Sequence, residues 1–214
     1  MEAQPMAERA GTPTGRRRAR TIGARQREAI LSAAARLFME KGYHATSVRE
    51  IGDEVGVSQS SLYYHAKSKP QILVDLNKRF MERLITEFEA IAARDEPPAD
   101  KVRMVIEELL TVIAEHQAEV TVVLHERRSL DERQARGIQR QRDRIDEVID
   151  SILSEGVRRG AFRDLDIRLT RLALTGMCNW AYEWYSPRGS FQPSQIAAHF
   201  ADLLLRGIQA DPAR

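Results

Sequence analysis

The chain has 214 residues, of which 43% are hydrophobic and 30% are charged, so it can bury the core of an ordinary globular protein. No apolar run approaches the roughly 18–20 residues that cross a bilayer, and the basic N-terminus lacks the apolar segment of a secretory signal. The single cysteine, Cys178, cannot form an internal disulfide. These features predict a cytoplasmic protein with no membrane partner.

Positive charge is concentrated in the N-terminal third. Residues 1–69 contain 12 lysines and arginines against 7 acidic residues, whereas the rest of the chain contains 21 against 24. A net charge of +5 therefore precedes a net charge of −3. A basic N-terminal third indicates a polyanionic partner, although a solvated basic tail would give the same count.

The first part of the chain divides into an arm and a helix. Residues 1–21 contain prolines and glycines without apolar periodicity, so we expect a disordered basic arm. From Arg25 the apolar residues recur at helical spacing, and Gly42 ends this helix.

Two short helices are expected next. Ser47-Val-Arg-Glu50 forms a capping box that starts the first of them, and Gly56 closes it. Ser58 caps the second helix, which has seven residues and only one strong apolar anchor, Leu62. A capped helix, a turn with glycine and another short helix have the spacing of a helix-turn-helix.

The rest of the chain is predicted to be helical, with no convincing strand and no internal repeat. Ser68 caps a long helix, and Ser129 caps a later one that Gly160 stops. The expected helices span about 69–93, 101–116, 119–127, 130–159, 166–185 and 193–209. We therefore predict an all-α protein of about nine helices.

The seven-residue helix carries polar and aromatic side chains that its packing does not need. Its first turn is the end that enters the major groove of DNA and reaches base edges, whereas tyrosines and lysines suit phosphate contacts. A polar surface helix without a function is the alternative, but two adjacent exposed tyrosines favour DNA binding. The candidate DNA contacts are Thr46, Ser47, Gln59, Ser60, Ser61, Tyr63, Tyr64, His65 and Lys69.

The stretch "AILSAAARLFMEKGYHATSVREIGDEVGVSQSSLYYHAKSK" resembles the DNA-binding domain of the TetR family of bacterial transcriptional repressors. The resemblance covers about residues 25–72. It implies a homodimer of all-helical subunits, in which a DNA-binding domain over residues 22–69 precedes a ligand-binding and dimerisation domain over residues 70–214. It also implies that a small molecule in the second domain changes the spacing of the two DNA-binding domains and releases the double-stranded operator.

Two positions depart from the family pattern. Ala66 stands where the family usually has phenylalanine, so part of the small core around the third helix must be filled otherwise. Pro70 replaces the usual acidic residue, and proline is tolerated in the first turn of a helix. Neither position is among the candidate base contacts.

The stretch "LALTGMCNWAYEWYSPRGSF", from Leu172 to Phe191, is similar to the C-terminal segment of a TetR subgroup that responds to acyl-coenzyme A thioesters of lipid, sterol and aromatic-acid catabolism. The subgroup often has an arginine where this chain has Ser186. Paired arginines at helix ends are candidates for the coenzyme's phosphates, with a solvated helix terminus as the alternative. The candidate effector contacts are Gly176, Asn179, Trp180, Trp184, Arg127 and Arg128.

Tryptophans 180 and 184 are one helical turn apart and could equally belong to the core or to a dimer seam. A broad apolar stripe near the C-terminus favours such a seam, because an exposed stripe of this size is unusual on a monomer. Its predicted members are Leu169, Leu172, Ala173, Ile196, Phe200, Leu203 and Leu204, with Ile208 at its end.

Two other functions remain open at this level. A helical enzyme is disfavoured, because the sequence contains no nucleophile elbow, phosphate loop or paired-carboxylate motif, and no catalytic residue is proposed. A repressor that senses lipophilic drugs is the second alternative. His116 and His125 lie among carboxylates without the spacing of metal ligands, so neither a metal nor a cofactor is expected.

Overall fold

The structure is a computed structural model that describes the backbone of residues 13–65 and 67–210, with the side chains of residues 23–64, 67–126 and 128–210. Its helices are α1 (Pro13–Lys41), α2 (Val48–Val55), α3 (Gln59–His65), α4 (Lys69–Ala92), α5 (Pro98–Glu115), α6 (Gln117–His125), α7 (Glu132–Arg158), α8 (Ile167–Asn179), α9 (Ala181–Trp184) and α10 (Pro193–Ile208). The four-residue α9 follows α8 after a break at Trp180. The predicted all-α fold is confirmed, and the described residues contain one isolated bridge, between Phe162 and Gln209, but no strand.

The first helix begins earlier than the sequence suggested. Since α1 starts at Pro13, the expectation of a disordered arm is wrong for residues 13–21, while residues 1–12 lie outside the described part of the chain. Proline is well placed at the first position of a helix, and the arginines and alanines that follow are good helix formers. A helix already nucleated by the buried residues of its second half can therefore extend back to Pro13.

The expected helix caps of the N-terminal domain are present. Glu50 N–H donates to Ser47 Oγ over 3.1 Å, and Ser47 N–H donates to Glu50 Oε2 over 2.7 Å, which closes the capping box of α2. Gly56 ends α2 in the left-handed conformation, with φ of 69°. Ser58 Oγ then accepts the N–H of Ser61 in the first turn of α3.

The core of the C-terminal domain lies between the helices α4 to α10. The long α4 packs along α7, and α5 lies between α4, α7 and α10. The cap of α7 is Asp131 and not Ser129, which lies in a short 3-10 turn over Glu126–Ser129 and donates its hydroxyl to Glu126. No helix in the described ranges is both long and apolar enough to cross a membrane.

Candidate nucleic-acid interface and body cavity

The candidate recognition surface is the outer face of α3. Gln59 and Ser60 are exposed in its first turn, followed by Tyr63, which is 50% exposed, and Tyr64, which is 78% exposed. On the opposite face, Leu62 is buried and anchors the helix to its neighbours. The structure therefore places the polar side chains at the end of α3 that can reach base edges, with the tyrosines one turn further along.

Three other candidate DNA contacts, Ser47, Ser61 and His65, lie beside this surface. Ser61 is half-buried in α3, and Ser47 is exposed at the start of α2 with its hydroxyl oxygen engaged in the capping box. His65 ends α3, but its side chain lies outside the described part of the structure. Ser47 and Ser61 can therefore contribute only at the edge of the surface.

Two candidate DNA contacts are used inside the protein. Thr46 is 1% exposed, and its hydroxyl lies 3.0 Å from the carbonyl oxygen of Gly42 and 3.2 Å from that of Leu37. The predicted contact between this side chain and DNA is wrong, because the hydroxyl stabilises the turn after α1. Lys69 Nζ donates to three backbone carbonyls of the same turn, so its donors are engaged within the protein in this structure.

A cavity of about 300 Å³ lies within the C-terminal domain, between α4, α5, α6, α7 and α8. One side of its lining is apolar, with Phe80 and Leu84 from α4 and Val120 and Leu124 from α6. The other side carries polar groups. These are Gln139, Arg142, Asp146, Arg171, Thr175 and Asn179. An apolar pocket with a few convergent polar groups is typical of a small-molecule site.

On the polar side, the charge of Arg171 is compensated by two aspartates. Arg171 contacts Asp146 over 2.6 Å and Asp150 over 2.7 Å. Burial raises the pKa of Asp146, and the nearby Asp150 and Asp143 add to this effect, whereas Arg171 opposes it. Arg171 is therefore held in place by its two carboxylate partners before any ligand arrives.

Of the five predicted effector contacts whose side chains the structure describes, Asn179 alone lines the cavity. Gly176 has open space around it, Trp180 is 61% exposed and Trp184 is 44% exposed, so these three predictions are not matched by the geometry of the single subunit. The reason is that α8 turns only one face towards the cavity. Arg128 is exposed and does not line the cavity, and the side chain of Arg127 lies outside the described part of the structure.

The sequence analysis missed the charged residues of the cavity. Gln139, Arg142 and Asp146 are separated by three and four residues, which places them on one face of α7. This spacing is the feature of the sequence that could have indicated these cavity residues, and the same spacing also occurs on solvent-exposed helices. Arg171 gives no signal, because its aspartate partners lie about 20 residues away on another helix.

The predicted dimer stripe contains exposed, half-buried and buried residues. Leu169 and Leu203 are 64% and 54% exposed, and Leu172 and Ala173 are exposed on the same helix as Leu169. Phe200 and Leu204 are half-buried. Ile196 and Ile208 are buried within the subunit, where α10 packs against α5, so their assignment to the dimer face is wrong.

No group of three or more histidine, cysteine, aspartate or glutamate side chains is placed to hold a metal ion in the part of the chain described. His116 instead lies 3.5 Å from Glu119, and His125 lies 3.2 Å from Glu183. Both histidines are therefore engaged in local pairs.

Comparison with known proteins identifies both domains. Residues 30–76 match the family model "Bacterial regulatory proteins, tetR family", and residues 95–208 match "Tetracyclin repressor-like, C-terminal domain". The chain is 29% identical to the HTH-type transcriptional repressor KstR2 of Mycolicibacterium smegmatis, over 86% of this chain and 91% of that protein. It is 28% identical to the fatty acid metabolism regulator protein of Bacillus subtilis, over 84% of this chain and 93% of that protein.

A solved structure supports the same assignment. The TetR family transcriptional regulator PfmR of Thermus thermophilus superimposes with a TM-score of 0.78 at 32% identity, covering 83% of this chain and 97% of that one. Because the matched proteins are transcriptional regulators, the enzyme alternative is excluded. The chain belongs to the TetR family of bacterial transcriptional regulators.

Proposed function

We propose that the protein is a homodimeric repressor that binds a palindromic operator and is released from it by an acyl-coenzyme A thioester. The observation that carries the effector assignment is the cavity, in which an apolar wall faces a polar wall whose charges are balanced. The similarity to a fatty acid metabolism regulator supports a ligand from lipid metabolism.

The size of the cavity suits the acyl part of such a ligand. About 300 Å³ is at the low end of the range for small-molecule pockets, so an acyl group fits inside but the whole coenzyme does not. The nucleotide portion must then lie outside the cavity. Asn179 is a lining residue that is also exposed and lies outside the apolar stripe, which indicates where the ligand leaves the subunit.

The charge balance favours a thioester over a free acid. Arg171 is already neutralised by Asp146 and Asp150, so a carboxylate placed here would add a negative charge close to two others. A thioester carbonyl is neutral and needs only a hydrogen-bond donor, which Asn179 or Thr175 can supply. Apolar acyl carbons alone discriminate similar ligands poorly, so the polar group and the coenzyme must provide the selectivity.

A chain of contacts connects the cavity to the DNA-binding domain. Arg79 of α4 precedes the cavity residue Phe80, and Glu119 of α6 precedes the cavity residue Val120. Arg79 contacts Glu119 over 3.2 Å and also contacts Glu28 of α1. A ligand that separates α4 from α6 would therefore act directly on the pair that holds α1. A hundredfold preference for the released form corresponds to about 2.7 kcal/mol, within the usual range of allosteric coupling.

The exposed stripe supports the dimeric arrangement. Leu169, Leu172 and Ala173 of α8 and Leu203 of α10 present apolar surface to solvent in the single subunit. Packing two copies of α8 and α10 about a two-fold axis would bury it. Two α3 helices related by that axis would then read the two halves of a palindrome.

Fluorescence anisotropy of labelled operator tests the effector. Protein bound to a duplex selected from random DNA is titrated with acyl-coenzyme A thioesters, with the matching free acids and with lipophilic cations. We expect release by thioesters alone. In the variant Val112→Phe, which fills the cavity, thioesters should no longer release DNA, whereas Arg128→Ala should respond like the wild type. Release by free acids or by lipophilic cations, with thioesters inert, would overturn the proposal in favour of a drug-sensing repressor.

A further inference from the structure

We propose that Lys69 is a positioning residue that fixes the DNA-reading helices to the start of α4, and that it does not bind DNA phosphate. Its Nζ lies 2.7 Å from the carbonyl oxygen of Tyr43, 3.2 Å from that of His44 and 2.9 Å from that of Thr46. An ammonium group has three N–H donors and no acceptor, so these three carbonyls use its full capacity. A phosphate could be bound only by giving up one of them.

Lys69 lies at the N-terminal end of its helix, where a cation is normally unfavourable. Lys69 is the first residue of α4, directly after the cap Ser68. A positive charge is unfavourable there, because the first turn of a helix carries the positive end of the helix dipole. The carbonyls of Tyr43, His44 and Thr46 offset this cost, and the ring of Tyr43 adds to the compensation with its centroid 4.6 Å from Nζ.

The three carbonyls belong to the turn between α1 and α2, which also packs on Phe38 through Tyr43 and approaches Glu126 through His44 Nε2 at 3.7 Å. Gly42, with φ of 91°, ends α1 in the left-handed conformation, and the hydroxyl of Thr46 bonds back to the end of α1. Lys69 attaches the other side of this turn to α4. The residue that follows the turn is Ser47, the cap of α2.

The contacts of Lys69 affect the orientation of α3. Because α2 starts directly at the turn and carries α3 through the tight turn at Gly56, the start of α4 sets the direction of both helices. The same α4 lines the cavity further along with Phe80 and Leu84. Lys69 therefore joins the helix that contacts the effector to the unit that reads DNA.

The inference rests on the proposed DNA-reading surface. The substitution Lys69→Arg distinguishes a positioning role from a phosphate contact. Arginine keeps the charge and binds phosphate well, but its planar fork cannot direct three donors from one nitrogen at the carbonyls of residues 43, 44 and 46. A phosphate contact would survive this substitution, whereas the positioning role would be lost. Lys67→Gln is the matched control, since Lys67 is an exposed lysine two residues earlier.

Dissociation constants are measured between 50 and 200 mM salt for a duplex selected by the wild-type protein from random DNA and for an unselected duplex. We expect Lys69→Arg to weaken binding to the selected duplex about tenfold, the effect of losing one good base contact, with the unselected duplex and the salt slope unchanged. Lys67→Gln should leave the ratio of the two dissociation constants unchanged. Unchanged binding to the selected duplex by Lys69→Arg would overturn the proposal.

A second variant covers the case in which arginine disturbs folding. Hydrogen exchange of Lys69→Gln should show faster exchange over residues 43–58, with α5 and α7 as protected as in the wild type. Unchanged protection over residues 43–58 would also overturn the proposal. A loss of about 0.9 in the salt slope, together with equal weakening on both duplexes, would mark a phosphate contact and overturn it as well. A wild-type protein that selects no DNA sequence would instead reject the proposed operator binding itself.

Discussion

Gly52 of α2 lies directly against the side chain of Leu62 of α3. A Cβ atom at position 52 would lie 2.7 Å from Leu62 Cδ2, closer than atoms pack in proteins. Leu62 is 1% exposed and anchors α3, so a side chain at position 52 would press against the residue that holds this helix. The absence of a side chain at position 52 therefore allows the close approach of α2 and α3, the two helices proposed to read DNA.

Gly52→Ala should separate α2 from α3 and weaken DNA binding. We expect a loss of about 1–3 kcal/mol in the stability of the DNA-binding domain, the usual cost of overpacking, together with weaker operator binding. Thermal unfolding and anisotropy measure the two effects. Gly137→Ala is the control, because the nearest atom to a Cβ there is Arg140 Nη2 at 3.9 Å. It should leave DNA binding intact and raise stability by about 0.5–1 kcal/mol, since alanine is the better helix former.

The sequence predicted the local features of this domain well and its tertiary contacts poorly. The capping box of Ser47 and Glu50 could be predicted because its partners are three residues apart. The role of Lys69 could not, because its acceptors lie 23 to 26 residues away along the chain. The closeness of Gly52 to Leu62 likewise depends on how two helices cross.

The same limit explains the errors in the C-terminal domain. Ser129 and Asp131 both begin a pattern that can cap a helix, and the sequence gives no reason to choose the second. Ile196 and Leu203 both belong to the apolar side of α10, but only the packing against α5 shows that the first faces inward. The family resemblance identified a transcriptional regulator of the TetR family, whereas the residues of the cavity required the three-dimensional arrangement.

The capping box should make the N-terminal domain sensitive to acid. Hydrogen bonds from the backbone and the hydroxyl of Ser47, followed by one from Lys41, lower the pKa of Glu50 from 4.5 to about 2. A carboxyl whose pKa is lower in the folded state contributes stability above its unfolded pKa and loses it as the pH falls. This contribution should therefore be complete above about pH 4.5 and disappear towards pH 2.

Glu50→Gln checks that expectation. The glutamine can still accept the N–H of Ser47, but it does not titrate, so its stability should depend less on pH between 2 and 4.5 than that of the wild type. Urea unfolding at a series of pH values gives the slope of the unfolding free energy against pH for the variant and for the wild type. Glu40→Gln removes a carboxylate of α1 outside the capping box and controls for the change in net charge. Equal slopes for Glu50→Gln and the wild type would contradict the assigned hydrogen bonds.

Cys178 should not react in the native protein. The thiol is fully buried in α8, and burial raises its pKa to about 12, so it stays protonated at neutral pH. Since the thiolate is the reactive form, an aromatic disulfide reagent should modify it only after unfolding. Mild oxidants should leave operator binding unchanged. Rapid stoichiometric modification without denaturant would show that α8 opens readily, and with it one wall of the cavity.

The dimer should depend on the exposed members of the apolar stripe and not on the buried ones. Leu203→Asp places a charge on the open face of α10, where it would be desolvated in a dimer but solvated in a monomer, so we expect monomers that bind operator weakly. Light scattering should give twice the chain mass of 24.3 kDa for the wild type and the single mass for the variant. Met39→Asp is the control, because Met39 is 52% exposed on α1, away from the stripe, and should leave the mass doubled. A wild-type monomer at micromolar concentration, or a Leu203→Asp variant that remains dimeric, would show that another surface joins the subunits.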